Sequence, residues 1–126
     1  MAEIHPHIVA LGEVLWDEFP EGARLGGAPA NFAVHCASMG ARAALVSRVG
    51  LDDRGREALD LLKGRGVDVD FVQQDAERPT GRVKVTLKDG RPTYEIVAGV
   101  AWDAIRWEPH LSSLSKEADV ICFGTL

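Results

Sequence analysis

Ile8-Val9-Ala10-Leu11-Gly12 is an unbroken apolar run closed by a glycine, and its shortness and lack of alternation fit a β-strand buried on both faces. Two further runs of the same kind occur, Ala43-Ala44-Leu45-Val46, which leads through Val49 to Gly50, and Val120-Ile121-Cys122-Phe123-Gly124. Helix signals lie between the first two. Gly26-Gly27-Ala28-Pro29-Ala30-Asn31 sets flexible residues ahead of a proline suited to a first helical turn, and predicts a helix to about Met39 with Gly40 as its stop. Ala30, Ala33, Val34 and Ala37 give that helix a small-residue face that can pack closely on a sheet. Asp52 or Asp53 then caps a second helix carrying Leu59, Leu61 and Leu62, which ends at Gly64 and Gly66. Buried strands alternating with helices predict a parallel α/β sheet flanked by helices, whose ligands sit beyond the carboxyl ends of the strands.

After Val67 the period changes to two. Val83, Val85 and Leu87 alternate with Arg82, Lys84, Thr86 and Lys88, and Asp89-Gly90 supplies a tight turn into a second strand through Tyr94 and Ile96. One apolar and one wet face distinguish this ribbon from the buried runs, so it is expected to project as an antiparallel flap. Residues 98–118 read as a connection with Trp102, Trp107 and a short helix near Leu111. No helix signal follows Gly124, which would leave sheet surface uncovered. The 126 residues are therefore expected to be the amino-terminal part of one longer domain, and to self-associate or expose apolar surface if isolated.

Composition narrows the partners. With 14 Lys+Arg against 19 Asp+Glu, the formal charge of -5 has the wrong sign for neutralising nucleic-acid phosphates or an anionic membrane. No apolar run approaches the roughly 20 residues that span a bilayer, and the first residues lack a basic stretch followed by an apolar one, so a cytoplasmic chain is expected. Two cysteines, Cys36 and Cys122, lie among apolar or small neighbours and read as buried reduced thiols. His5, His7, His35 and His110 form no metal-ligand spacing with them, and no metal site is expected. Trp16, Trp102 and Trp107 read as core or pocket wall. Neither a Gly-x-x-x-x-Gly-Lys-Ser/Thr loop nor a Gly-x-Gly-x-x-Gly turn after the first strand is present.

Gly26-Gly27-Ala28-Pro29-Ala30-Asn31-Phe32-Ala33, with Gly40 and Gly50 at their spacings, resembles the amino-terminal signature of the ribokinase-like (pfkB-type) carbohydrate kinases. The flanks agree: Gly12-Glu13 with Asp17 beyond it, Val49-Gly50-Leu51-Asp52-Asp53 with Gly55, and Gly66-Val67-Asp68. Tyr94-Glu95-Ile96 and Ala101-Trp102-Asp103 are most similar to fructokinases. The resemblance implies a ribokinase-like sheet with a β lid made of strands at about 13–20 and 81–98. It also implies ATP and a magnesium ion as cofactors, a sugar such as fructose as substrate, and a homodimer formed through the lid. The positions matching the sugar-binding residues of the family are Asp17, Gly26, Gly27 and Asn31.

The chemistry of those residues suits that role. A glycine pair lets backbone approach a ligand, Asn31 both donates and accepts hydrogen bonds, and Asp17 adds an acceptor-only carboxylate for hydroxyls that need partners once desolvated. Plainer roles stand beside them: Asn31 as a helix-start residue, and Asp17 as a solvated acid near Glu18 and Glu21. The Gly-Ala-Gly-Asp segment that supplies the catalytic aspartate in the resembled family does not occur here. No catalytic residue is therefore expected in this span, which alone should be inactive. The alternatives are a short non-catalytic module that binds sugar or a partner, and a nucleotide-binding α/β domain of other chemistry.

Overall fold

The computed structural model describes residues 3–124 and 126. In chain order it contains β1 (His7–Leu11), β2 (Leu15–Phe19), β3 (Gly22–Gly26), α1 (Ala28–Ser38), β4 (Arg42–Gly50), α2 (Asp53–Gly64), β5 (Val67–Asp68), β6 (Val72–Asp75), β7 (Gly81–Lys88) and β8 (Arg91–Ile96). A 3-10 turn at Ala101–Ala104, α3 (His110–Glu117) and β9 (Val120–Phe123) complete it. β5, β4, β1 and β9 lie side by side in an all-parallel body sheet, and β6 pairs with the second half of β4. β3, β2, β7 and β8 form a separate lid sheet.

The unbroken apolar runs of β1 and β4 are explained by what covers them. Ala43, Leu45 and Val49 join Ala10, Ala30, Ala33 and Leu62 in one core beneath α1 and α2, while Val9, Ala44 and Val46 meet Leu111 and Leu114 of α3 on the other face. Alternation therefore has no place in these strands, because both faces are inside. Leu45 and Leu62 are fully buried, each contributing roughly 1.5–3 kcal/mol of hydrophobic stabilisation. The alanines of α1 let its axis approach the sheet, as their spacing predicted.

Several expectations need correction. β9 is an edge strand, not a buried one: Val120 and Ile121 are half-exposed and Phe123 is 72% exposed. Among the described strands it pairs with β1 alone, so its apolar side chains lack the double cover that β1 and β4 receive. Cys36 and Cys122 are free but only partly buried, one on the flank of α1 and the other on that edge. The 83–96 hairpin is antiparallel as expected, but β2 joins it in parallel, Leu15 opposite Gly81 and Asp17 opposite Val83. β3, β5 and β6 carried no period that could be read. β5 has two residues, and β6, Val72-Gln73-Gln74-Asp75, is half polar. Trp16 is buried, whereas Trp107 stands exposed at the rim of a groove. No helix among the described residues is long and apolar enough to cross a membrane.

Candidate functional site

β1 is the switch point of the body sheet, with β4 on one side and β9 on the other, so the chain leaving its carboxyl end enters the crevice where open α/β sheets bind ligands. That chain is Gly12-Glu13-Val14 and then β2. A cleft of about 390 Å³ opens there. Glu13, Gly27 and Ala28 line it from the body side, and Leu15, Asp17, Val83, Tyr94 and Ile96 line it from the lid sheet. The alternation of β2 divides its side chains: Leu15 and Asp17 line the cleft, while Trp16 points the other way, donating from Nε1 to the Arg54 carbonyl at 3.1 Å beneath the Arg54 guanidinium.

Asp17 is the polar group most directly set over this space. Val83 lies opposite it in the neighbouring strand, and burial pushes its carboxyl above the ordinary value of 3.8. Gly26 explains how the carboxylate fits. A Cβ at Gly26 would collide with Asp17 Oδ2, so the missing side chain is the room that the carboxylate occupies. Gly27 has φ +102°, and a Cβ there would sit 2.5 Å from the Glu13 carbonyl oxygen. Only glycine meets both demands. The two glycines thus bring the head of α1 against the end of β1.

Asn31 stands differently. It lies in the first turn of α1, its backbone N–H donating to the Gly27 carbonyl at 2.9 Å, and it is exposed and not among the described lining residues of the cleft. The structure therefore sets the Asp17 carboxylate against Gly26 and places Asp17 and Gly27 on the cleft, while neither Gly26 nor Asn31 is among its described lining residues. Sequence reading passed over Glu13 as a site residue. Its side chain is buried and accepts from the Ala28 N–H at 3.3 Å, replacing the side-chain cap that Gly27 lacks. Its position one residue past Gly12, at the end of a buried strand, was the available signal. Tyr94 and Ile96, expected on one face of a ribbon, line the cleft from the lid sheet.

An apolar groove of about 260 Å³ runs between β1, β9 and α3, with Val9, Leu11, Leu111, Leu114 and Ile121 among its walls. It presents almost no polar atoms to orient a ligand, unlike a binding pocket with convergent polar groups. At the end of β4 and β6, Asp75 accepts from the backbone N–H of Glu77 and Arg78, both at 2.9 Å, and from Arg48 Nε at 2.9 Å. Those backbone donors and the two nearby guanidiniums hold its carboxyl far below the usual carboxylate range. Gln73 continues the network, donating to the Arg106 carbonyl at 2.6 Å and accepting from the Arg106 N–H at 2.9 Å. This network ties the connection after the lid to the body sheet.

A nucleotide phosphate at a helix head needs free N–H donors and no competing negative charge. α1 faces Glu13 and α2 faces Asp52, so each amino terminus already meets a carboxylate of the chain, whose charge disfavours a phosphate there. These residues do not fit the phosphates of a nucleotide. No group of three or more His, Cys, Asp or Glu side chains that could hold a metal ion occurs among the described residues.

Comparison with known proteins agrees with the geometry. The profile of the pfkB family of carbohydrate kinases matches residues 18–126. A putative sugar kinase of Pyrococcus horikoshii is 32% identical over 106 residues, covering 80% of this chain and 33% of that protein. The probable fructokinase-5 of Arabidopsis thaliana is 31% identical over 135 residues, covering 96% of this chain and 42% of its own. The structure of the Pyrococcus protein in complex with ATP superposes on 93% of this chain with a TM-score of 0.79 and 29% identity, covering 42% of that chain. Halothermothrix orenii fructokinase does so with a TM-score of 0.80 and 30% identity, over 93% of this chain and 45% of that one. The chain thus spans less than half the length of these relatives.

Proposed function

Since the chain belongs to the pfkB family of carbohydrate kinases, we propose that residues 1–126 are the sugar-binding and lid-bearing portion of an ATP-dependent sugar kinase whose substrate is fructose. The observation that carries this reading is the Asp17 carboxylate, set in a lid-covered cleft beyond the carboxyl end of β1. In it Asp17 accepts hydrogen bonds from sugar hydroxyls, Gly26 and Gly27 bring backbone close to the ring, and Asn31 contributes from the margin when the lid closes. The apolar roof of Val83, Tyr94 and Ile96 covers the carbon face of the sugar and excludes water from the accepting hydroxyl. The described lining residues include two carboxylates, Glu13 and Asp17, and no Lys or Arg, which suits a neutral polyol better than an acidic sugar.

The phosphate donor, its magnesium ion and the aspartate that deprotonates the acceptor hydroxyl belong, in this reading, to residues outside this span. The span alone is then inactive. ATP bound to the Pyrococcus relative supports the choice of donor. β8 is exposed along its whole length at the edge of the lid sheet, and it is the surface through which two copies would pair.

The test is an ATP-dependent phosphorylation assay on the longest product of the reading frame that encodes this chain. The panel is fructose, ribose, 2-keto-3-deoxygluconate and a nucleoside. Fructose is expected to give the highest kcat/KM. A product that phosphorylates none of them, yet binds a dinucleotide tightly, would overturn the reading.

A further inference from the structure

The lid sheet meets the body at a polar junction whose bonds run between segments far apart in the chain. Thr80, the residue before β7, is buried. Its N–H donates to Asp52 Oδ2 at 2.9 Å and its hydroxyl donates to Asp52 Oδ1 at 2.6 Å. The same hydroxyl accepts from the Gly50 N–H at 2.9 Å. Asp52 Oδ1 also accepts from the Gly55 N–H at 2.8 Å, so one carboxylate caps α2 and holds the root of β7 together. An ordinary helix cap needs only the last of these bonds.

Packing closes the junction further. A Cβ at Gly50 would lie 2.6 Å from Asp52 Oδ2 and 2.7 Å from the Thr80 nitrogen, and one at Gly55 would strike the Gly50 carbonyl oxygen. Gly81 is pressed between Trp102 and the Val14 carbonyl, and the Ala101 N–H donates to the Pro79 carbonyl at 2.8 Å. The adjacent lid strand is tied to the same helix turn, because Trp16 Nε1 bonds the Arg54 carbonyl. Both central strands of the lid, β2 and β7, are therefore fixed to the first turn of α2. Leu15 pairs with Gly81 at this root, and Asp17 pairs with Val83 two residues farther out.

We propose that Thr80, held by Asp52, is a positioning residue for the sugar site: it fixes the root of β7 to the head of α2, and through the β2–β7 pairing it sets where Asp17 and Val83 stand over the cleft. The inference rests on the sugar-kinase reading. Neither residue touches the cleft, so the effect passes through the lid strands alone. Burial acts most strongly on the Asp52 carboxyl and pushes it up, but the bonds from Thr80 and Gly55 and the charge of Arg56 together outweigh it and leave it below 3.8. The junction is accordingly charged and intact at neutral pH.

The test compares Thr80→Val with Thr80→Ser in the longest product of the reading frame, with KM for sugar and KM for ATP measured separately. Thr80→Val is expected to raise KM for sugar about tenfold, the weight of a buried hydrogen bond with its partners left unpaired. KM for ATP should change less than about twofold, and Thr80→Ser, which keeps the hydroxyl, should restore wild-type values. An unchanged KM for sugar, equal rises in both KM values, or a Thr80→Ser variant as impaired as Thr80→Val would overturn the inference while leaving the kinase reading standing. A wild-type product without activity on any sugar would overturn both. If Thr80→Val does not fold, Asp52→Asn gives the same contrast, because an amide still caps Gly55 while offering Thr80 one acceptor fewer.

Discussion

In the body sheet, Ala44, Leu45 and Val49 of β4 are sealed from solvent, whereas every residue of β8 in the lid sheet is exposed. β1 and β4 are held by cover on both faces, the lid sheet by backbone pairing, by an apolar cluster of Leu15, Val83 and Val85 with Phe19, and by the bonds of Thr80 and Trp16 to the head of α2. Stability is concentrated in one sheet and ligand-facing surface in the other. Segments that open and close are drawn from the less stable parts of a fold, and the distal half of the lid, with Tyr94 and Ile96 exposed above the cleft, fits that pattern.

The sharpest way to break this comparison is a pair of truncations. Leu45→Ala, in the fully buried centre of β4, should cost about 2–5 kcal/mol in denaturant unfolding. Ile96→Ala, on half-exposed β8, should cost under about 1 kcal/mol. Comparable costs would mean that the lid is as much core as the body.

This contrast was largely legible in the sequence, and for a physical reason. Burial on both faces leaves an unbroken apolar run such as 43–46, while one wet face leaves alternation such as 82–88, so period separates β1 and β4 from the β7–β8 hairpin. The turn was legible too: Asp89 and Gly90 both take positive φ, 52° and 74°, as a two-residue hairpin turn requires. The exposure of β9 was not legible, because an apolar run reports the capacity for burial and not which neighbours supply it. Around the cleft, Gly27 stood out through motif spacing and Asp17 through the flank of the same resemblance. Glu13 did not, since its role depends on the close approach of Gly27 to the Glu13 carbonyl oxygen, a contact made only once the chain folds.

A second prediction concerns pH and the body. The folded-state pKa of Asp75 lies well below 3.8, so its contribution to stability is complete above the unfolded value and is lost as pH falls through the folded one. Asp75→Asn should remove that acid-limb component from a melting-temperature profile between about pH 5 and pH 2. A variant whose acid limb matches wild type would show that the Arg78 and Glu77 N–H bonds and the Arg48 pairing carry no such linkage. A smaller effect is expected at the lid tip: Gly90→Ala places a Cβ at φ +74° and should cost about 1 kcal/mol in unfolding, leaving KM for sugar within about twofold. A large rise in KM would extend the sugar site to the hairpin turn.

Asp17 tests the central claim most directly, because its two properties pull in opposite directions. Its pKa is raised in the fold, so the charged form is disfavoured by burial and opposes stability once pH passes that value. Asp17→Asn should therefore melt at or above the wild-type temperature at pH 7. If the carboxylate holds sugar hydroxyls, the same substitution should lower kcat/KM for sugar by about 100-fold, the scale of a charge-assisted hydrogen bond, with KM for ATP little changed. A variant that keeps the wild-type kcat/KM for sugar would contradict the assignment of this cleft as the sugar site.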